Sequence, residues 1–362
     1  MKIDVIGAGI VGLATAVTCA VRGANVRVFD PAPASGATHH AGGMLAPAAE
    51  VVYRQEPLFP LMLASAKLWP ELLRDVATHT DLPTGHRSEG TLVVAADRAD
   101  AQHLRELQEY QTAHGMTVER LTLRQARGLE PALSPALAGA VSLPGDHHVA
   151  PRVFATAARD AALNLGVEFV PRAVDSLHDP ELACQDGGQV VIANGLGASA
   201  LVPGLQLRPV YGDILRVRVP ERQFPLCERV IRGFVEDRPV YVIPRADGTV
   251  AIGATSREDG RPTPRLGDVH DLLRDAIRLV PGLEDCDFLE ATTGARPGTP
   301  DDLPYLGRMS PTAVLSTGYF RHGILLAALA ARATADVLEG TTPATDLSAC
   351  APLRHNPNEG AS

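Results

Sequence analysis

A mostly apolar run at residues 3–6 is too short for a helix and stops at Gly7, the pattern of a buried strand. Small apolar side chains follow (Leu13, Ala14, Ala16, Val17) up to Gly23, and a second strand, Val26-Arg27-Val28-Phe29, ends in Asp30. Residues 1–30 thus predict a β-α-β start. Residues 32–48 are loop-like and rich in small side chains. Leu61, Leu63, Leu68, Leu72, Leu73 and Val76 predict a helix over 58–77, with Pro60 near its start and Pro70 marking a boundary. A strand at 91–95, an amphipathic helix at 97–114, a helix and turn at 121–133 and a strand at 140–143 come next. A helix at 151–166 leads to strands at 167–171 and 189–193. The rhythm then changes to short alternating strands at 214–219, 230–235, 240–243 and 249–253, punctuated by Ala246-Asp247-Gly248, as in an antiparallel meander. A helix at 266–279, a strand at 289–293, a Pro/Gly-rich loop at 294–307, a strand at 313–317 and a helix at 323–338 complete the pattern. A polar tail at 351–362 reads as disordered.

This order predicts an α/β (α+β) chain of two interleaved domains. A discontinuous nucleotide domain takes residues 1–84, 142–205 and 290–350. An inserted, largely antiparallel substrate domain takes 85–141 and 206–289.

The first turn reads Gly7-Ala8-Gly9-Ile10-Val11-Gly12, the G-x-G-x-x-G fingerprint in a strand–turn–helix–strand–acid setting. Gly7 allows a tight turn off the strand, Gly9 lets backbone approach a pyrophosphate, and Gly12 lets the helix pack on the sheet. Ile10 and Val11 begin a helix whose N-terminus favours phosphate. Asp30, eighteen residues past Gly12, suits two ribose hydroxyls and would repel a 2′-phosphate. These residues predict a dinucleotide and leave open which one.

With 362 residues, 45% hydrophobic and 21% charged, the chain has the composition of a soluble globular protein. A net charge of −9 argues against nucleic acid and acidic membrane surfaces as partners. No apolar run spans a bilayer, and the first strand leaves no room for an export signal, so a cytoplasmic protein is expected. Five scattered cysteines (Cys19, Cys184, Cys227, Cys286, Cys350) without C-x-x-C spacing read as free thiols. Twelve histidines lack ligand spacing, and the adjacent pairs His39-His40 and His147-His148 point apart on any regular element. No metal is expected.

Four segments could carry chemistry. Ala41-Gly42-Gly43-Met44 serves either as a flexible connector or as a second backbone surface along an extended cofactor. Arg296, ending a strand before Pro297-Gly298, either forms a surface ion pair with Asp301 or Asp302 or grips a substrate carboxylate bidentately. Gly318-Tyr319-Phe320-Arg321-His322 feeds a helix expected to open at Gly323-Ile324-Leu325, whose N-terminus could stabilise charge on a reduced flavin. On the strand 240–243, alternation puts Tyr241 and Ile243 on one face and Val240 and Val242 on the other. Spacing alone does not separate a carboxylate-binding Tyr241 from an ordinary half-buried tyrosine.

Together the stretches VIGAGIVGLATA, GATHHAGGMLAPAAE, GLEPALSP, LPGDHHVAPR, RPVYGDILRVR, RPVYVIPRADGTVAIGAT, GARPGTPDDLPYLGR and GYFRHGILLA resemble the FAD-dependent amine oxidases. That family includes D-amino-acid oxidase, sarcosine oxidase and the glycine oxidases of thiamine biosynthesis. The resemblance implies a Rossmann-like FAD-binding domain with an inserted substrate domain. It implies that Arg296 and Tyr241 hold the substrate carboxylate and that Arg321 lies at the flavin edge. It implies cofactor contacts at Thr38, Gly42, Gly43, Met44, Val174 and the segment from Arg321 to Leu325.

The activity implied is oxidation of glycine or another small amino acid or amine to the imine, with O2 reduced to H2O2, in thiamine (thiazole) biosynthesis. A D-amino-acid or sarcosine-type enzyme passing electrons to another acceptor, or a dinucleotide-binding module without turnover, are the alternatives; a homo-oligomer is compatible with all three. The chain departs from the family pattern near the expected substrate. Pro239 stands where some members have histidine, and Ser256 where a methionine can line the pocket. Tyr211-Gly212-Asp213 replaces basic-Gly-Gln, His322 replaces an asparagine, and Ala327-Ala328 replaces a threonine- or alanine-proline pair.

Overall fold

The computed structural model of the chain describes residues 1–356. Its first sheet has six strands in the order Tyr305–Ser310, Ala313–Thr317, Gln189–Ile192, Lys2–Ile6, Asn25–Phe29, Glu168–Val170. All neighbours are parallel except the Tyr305–Ser310/Ala313–Thr317 hairpin. The inner strands are buried on both faces, which explains why Val190–Ile192 reads as an unbroken apolar run and Ile3–Ile6 as one interrupted only by Asp4, whose buried carboxylate pairs with Arg27. Helices Ile10–Val21, Phe59–Thr78, Pro151–Asn164 and Ala327–Leu338 pack into the apolar cluster with this sheet.

The second sheet has eight strands in the order Asp287–Gly298, Arg208–Arg218, Thr249–Gly253, Arg238–Pro244, Val230–Val235, Thr91–Ala95, Gly139–Leu143, Glu119–Leu121. It is antiparallel apart from the Val230–Val235/Thr91–Ala95 pair. Helix Leu266–Leu279 covers one face, burying Leu272, Ala276 and Leu279 against Val240, Val242 and Ile252. Tyr241 and Ile243 face the opposite way, as alternation requires. A small sheet of Met44–Leu45, His147–Val149 and His86–Arg87 joins the two. His147 meets His86 while His148 reaches the Pro244 carbonyl, so this adjacent pair does point apart.

Four local expectations are corrected. Helix Phe59–Thr78 runs straight through Pro70. Pro70 itself is exposed, while Trp69, Leu72 and Val76 are buried, so packing on either side outweighs the lost backbone hydrogen bond. The strand expected at 289–293 extends over Asp287–Gly298, so Arg296 lies within it and not at its end. Pro297 is tolerated there because the strand is a sheet edge, paired only with Arg208–Arg218. Residues 142 and 290, where domain boundaries are expected, lie within strands Gly139–Leu143 and Asp287–Gly298.

The last helix begins at Ala327 and not at Gly323. A 3-10 turn at Phe320–His322 precedes it, and Leu326 N–H donates to the His322 carbonyl at 2.8 Å. Within the tail, residues 351–356 are packed and ordered: Arg354 pairs with Asp301 at 2.7 Å, and the His355 ring meets Tyr305 Oη at 2.8 Å. The remainder of the expected disordered tail lies outside the described residues. No helix among the described residues is long and apolar enough to cross a membrane.

Candidate active site

A cavity of about 1010 Å³ opens beyond the carboxyl ends of four parallel strands and runs to the face of the second sheet that carries Tyr241. This is where open α/β sheets bind ligands. At one end the Gly7 turn takes φ +104° and donates its N–H to the Phe29 carbonyl at 2.9 Å. A Cβ on Gly12 would run into the Gly7 carbonyl oxygen, so only glycine lets the helix start this close to the strand. Ile10 N–H, in the first helical turn, donates to Thr38 Oγ1 at 3.0 Å. Thr38 therefore ties the second loop to the helix N-terminus as well as lining the cavity.

Asp30 stands on the cavity wall with each oxygen held by one backbone N–H: Ala8 at 2.7 Å and Ala32 at 2.7 Å. Each carboxylate oxygen retains accepting capacity for a ribose hydroxyl. Gly42, Gly43 and Met44 line the middle of the cavity, and Arg321, His322, Gly323, Ile324 and Leu325 its far end. The Leu325 carbonyl accepts from Ser65 Oγ at 2.6 Å and Trp69 Nε1 at 2.7 Å, which pins this turn to helix Phe59–Thr78. Gly12, packed under the turn, does not line the cavity, and neither does Val174. Val174 packs in the apolar cluster beside Phe29 and Leu182.

The substrate end is built by cross-strand register. Tyr241 lies opposite Gly253 and Arg232 on its two neighbouring strands. Its ring fits because two glycines make room: a Cβ on Gly42 would sit 2.8 Å from the Tyr241 hydroxyl, and one on Gly253 2.5 Å. Gly212 does the same for the Arg296 guanidinium, which a Cβ there would overlap. Arg296 Nη1 donates to the Thr255 carbonyl at 3.2 Å. The alternative ion pair with Asp301 or Asp302 does not form, because Asp301 is taken by Arg354 and Asp302 by Arg208. Among the described residues no carboxylate comes within ion-pair distance of Arg296. Burial lowers its pKa, partly offset by the nearby Tyr241 and Asp213. Burial likewise raises the pKa of Tyr241, which four arginines oppose.

Four contributors, Arg232, Glu50, Arg245 and Asp146, escape a reading of the sequence. Arg232, in the fully buried strand Val230–Val235, projects into the cavity and pairs with buried Glu50. The available signal was an arginine between Val230 and Phe234 on one face of an otherwise apolar strand. Burial lowers its pKa to about 9. Arg245 donates to the carbonyls of Gly42 and Val149, clamping the glycine loop onto the second sheet. Asp146 accepts from Ala48 and Ala49 N–H (3.2 and 2.8 Å) and so fixes the turn before Glu50. Nothing in the spacing distinguishes Glu50 or Asp146 from surface acids.

Of the positions where the chain departs from the resembled pattern, Pro239 and Ser256 line the cavity mouth. His322 is fully enclosed, with neither ring nitrogen hydrogen-bonded, and burial drives its pKa to about 3. The Nδ1 of His40 and the Oδ1 of Asn194, both on the cavity wall, are also buried without a partner. Groups of three or more potential metal ligands do not occur among the described residues.

The family model for FAD dependent oxidoreductases, DAO, matches residues 2–337. A glycine oxidase from Geobacillus kaustophilus is 32% identical over 98% of this chain and 97% of its own length. The crystal structure of glycine oxidase from that organism superposes with a TM-score of 0.86 at 30% identity, covering 98% of this chain and 99% of the other. A putative thiamine biosynthesis oxidoreductase, ThiO, from Rhizobium etli is 30% identical over 90% of this chain and 93% of its own. The bifunctional protein ThiO/ThiG of Trichormus variabilis is 34% identical over 93% of this chain, which spans only about half (52%) of that protein. A match across nearly the whole chain, on a fold that sets its glycine turn and Asp30 on one cavity, shows that the chain belongs to the FAD-dependent oxidoreductase family.

Proposed function

We propose that this protein oxidises glycine or another small amino acid or amine to the imine, which hydrolyses to the keto acid and ammonia, with O2 as the electron acceptor and thiamine biosynthesis as the setting. The observation that carries this reading is Arg296, a buried guanidinium with a carbonyl partner but no carboxylate partner, set beside the Tyr241 hydroxyl at the end of a dinucleotide cavity. The names of the full-length relatives support the substrate class and the setting. Five free thiols support a reducing compartment such as the cytoplasm.

FAD fits the residues present. Gly7 and Gly12 let the strand, turn and helix pack closely, Gly9 leaves backbone bare for a pyrophosphate, and Asp30 suits ribose hydroxyls. Asn194, His40 and His322 line the same cavity wall. When bound, the flavin supplies a two-electron acceptor for oxidation of a carbon next to nitrogen. Arg296 binds the substrate carboxylate through two parallel hydrogen bonds, and Tyr241 donates a third. Arg232, Arg296 and Arg321 together disfavour a substrate ammonium, so the amine binds with its lone pair free. Holding the α-carbon in one orientation supplies the larger part of the acceleration, an effect worth roughly 7–11 kcal/mol when geometry is right.

The test is an anaerobic panel of glycine, sarcosine, D-alanine and D-proline added to the holoenzyme. Bleaching of the flavin by glycine, with peroxide formed under air, is expected. If no member of the panel bleaches the flavin, the proposal is wrong.

A further inference from the structure

The cavity wall holds more positive charge than one substrate carboxylate needs, and a single acid distributes it. Arg232 lies directly across the ladder from Tyr241, so both side chains leave the same face of the sheet. Arg321 arrives from the turn before the last helix. Glu50 stands between them: Oε1 accepts from Arg232 Nη1, while Oε2 is 3.7 Å from Arg321 Nη2. Arg232 and Glu50 side chains are only 8% and 9% exposed, whereas Arg321 opens into the cavity. The turn carrying Glu50 is itself fixed, with Glu50 N–H donating to the Ala46 carbonyl at 3.1 Å and Asp146 and Gln111 holding Ala48.

The two pairs differ in closeness, and that difference has a consequence. A carboxylate fully engaged by one guanidinium exerts a reduced pull on a second. Glu50, its charge largely balanced by Arg232, thereby keeps Arg321 tethered over the cavity without neutralising it.

We propose that Arg232 and Glu50 are a positioning pair that sets the place and effective charge of Arg321, and through it the affinity of the site for carboxylates. This inference rests on the carboxylate-binding reading above. Removing Arg232 leaves Glu50 with an unengaged oxygen in a low-dielectric wall, where it recruits Arg321 as its full partner and withdraws it from the ligand. Replacing Glu50 by glutamine keeps an acceptor for Arg232 but frees Arg321 entirely. The two changes therefore act on anion affinity with opposite sign, which a merely structural pair would not do.

The experiment titrates acetate into the holoenzyme and follows the flavin absorbance. Arg232→Met is expected to raise the acetate Kd at least tenfold, and Glu50→Gln to lower it about threefold or more. The double variant is expected to return to within about threefold of the unmodified enzyme. Should Arg232→Met fail to fold, Glu50→Gln and Arg232→Lys carry the test, the latter being expected to bind acetate within threefold of the unmodified enzyme. Weakening by both Arg232→Met and Glu50→Gln, or no change in either, overturns the pair's role while leaving the carboxylate site intact. An unmodified holoenzyme that neither binds acetate nor bleaches with glycine overturns the underlying reading, and this inference falls with it.

Discussion

Arg257 Nη2 donates to Asp213 Oδ1 across 2.8 Å in a nearly dry site, the guanidinium 7% and the carboxylate 0% exposed. Asp213 is one of the positions where the chain departs from the pattern it resembles, and Arg257 supplies its counter-charge. The pair also reaches the substrate end. Asp213 N–H donates to Thr255 Oγ1 at 2.8 Å, and the Thr255 carbonyl is the one that accepts from Arg296. Arg257→Met would leave a buried carboxylate without its cation, a loss of about 3–5 kcal/mol. Denaturant unfolding of the holoenzyme should show that loss. The double variant Asp213→Asn/Arg257→Met should lose less than the sum of the single variants.

Arg296→Lys retains the charge but only one of two parallel hydrogen bonds. A charge-assisted hydrogen bond is worth about 1.5–3 kcal/mol, so KM for glycine should rise roughly 10- to 150-fold with a smaller change in kcat. Steady-state kinetics measure this, and an unchanged KM would remove Arg296 from the carboxylate site.

Gly12→Ala would drive a methyl group into the Gly7 carbonyl at the turn where the helix meets the strand. The helix N-terminus must then back away from the cavity. The purified variant should carry little or no FAD, read as loss of the visible flavin absorbance against total protein.

Burial lowers the pKa of His322 and that of His148 from the ordinary 6.5 to about 3. Between those values the unfolded chain binds protons that the folded chain does not, so stability present above pH 6.5 is lost as the pH falls toward 3. Each such histidine contributes up to about 1.4 kcal/mol per pH unit. His322→Asn should therefore flatten the decline in Tm between pH 6.5 and 4, with little change at pH 8. Parallel acid limbs for variant and parent would show that His322 is not buried neutral.

Oxidation of small amines by the same site predicts a competitive effect of short carboxylates. Acetate should raise the apparent KM for glycine in the unmodified enzyme and should have far less effect in Arg296→Ala. Initial rates at several acetate concentrations decide this.

Local patterns carried much of the fold. Strand Val230–Val235, strand Thr249–Gly253 and helix Leu266–Leu279 lie where periodicity put them, because each has one face on an apolar core. The glycine turn and Asp30 were equally legible, since their geometry is set within thirty residues of chain. The same holds for the face that carries Tyr241, which follows from alternation alone. What alternation could not say is what surrounds that face. Glu50, Arg232 and Arg321 are up to 271 positions apart, as their numbers show, and meet only because two sheets close on one cavity. Arg296 was recognisable as a candidate, but its freedom from Asp301 and Asp302 was settled by Arg354 and Arg208 taking those acids first. Val174 was left out of the cavity by packing against Phe29 and Leu182. Sequence by itself thus determined most of the elements, the dinucleotide turn and the face bearing Tyr241, all products of short-range sterics and burial periodicity. Tertiary structure alone decided which buried charges pair with one another and which are left for a ligand, because Coulombic partners are chosen by distance in space and by the exclusion of water.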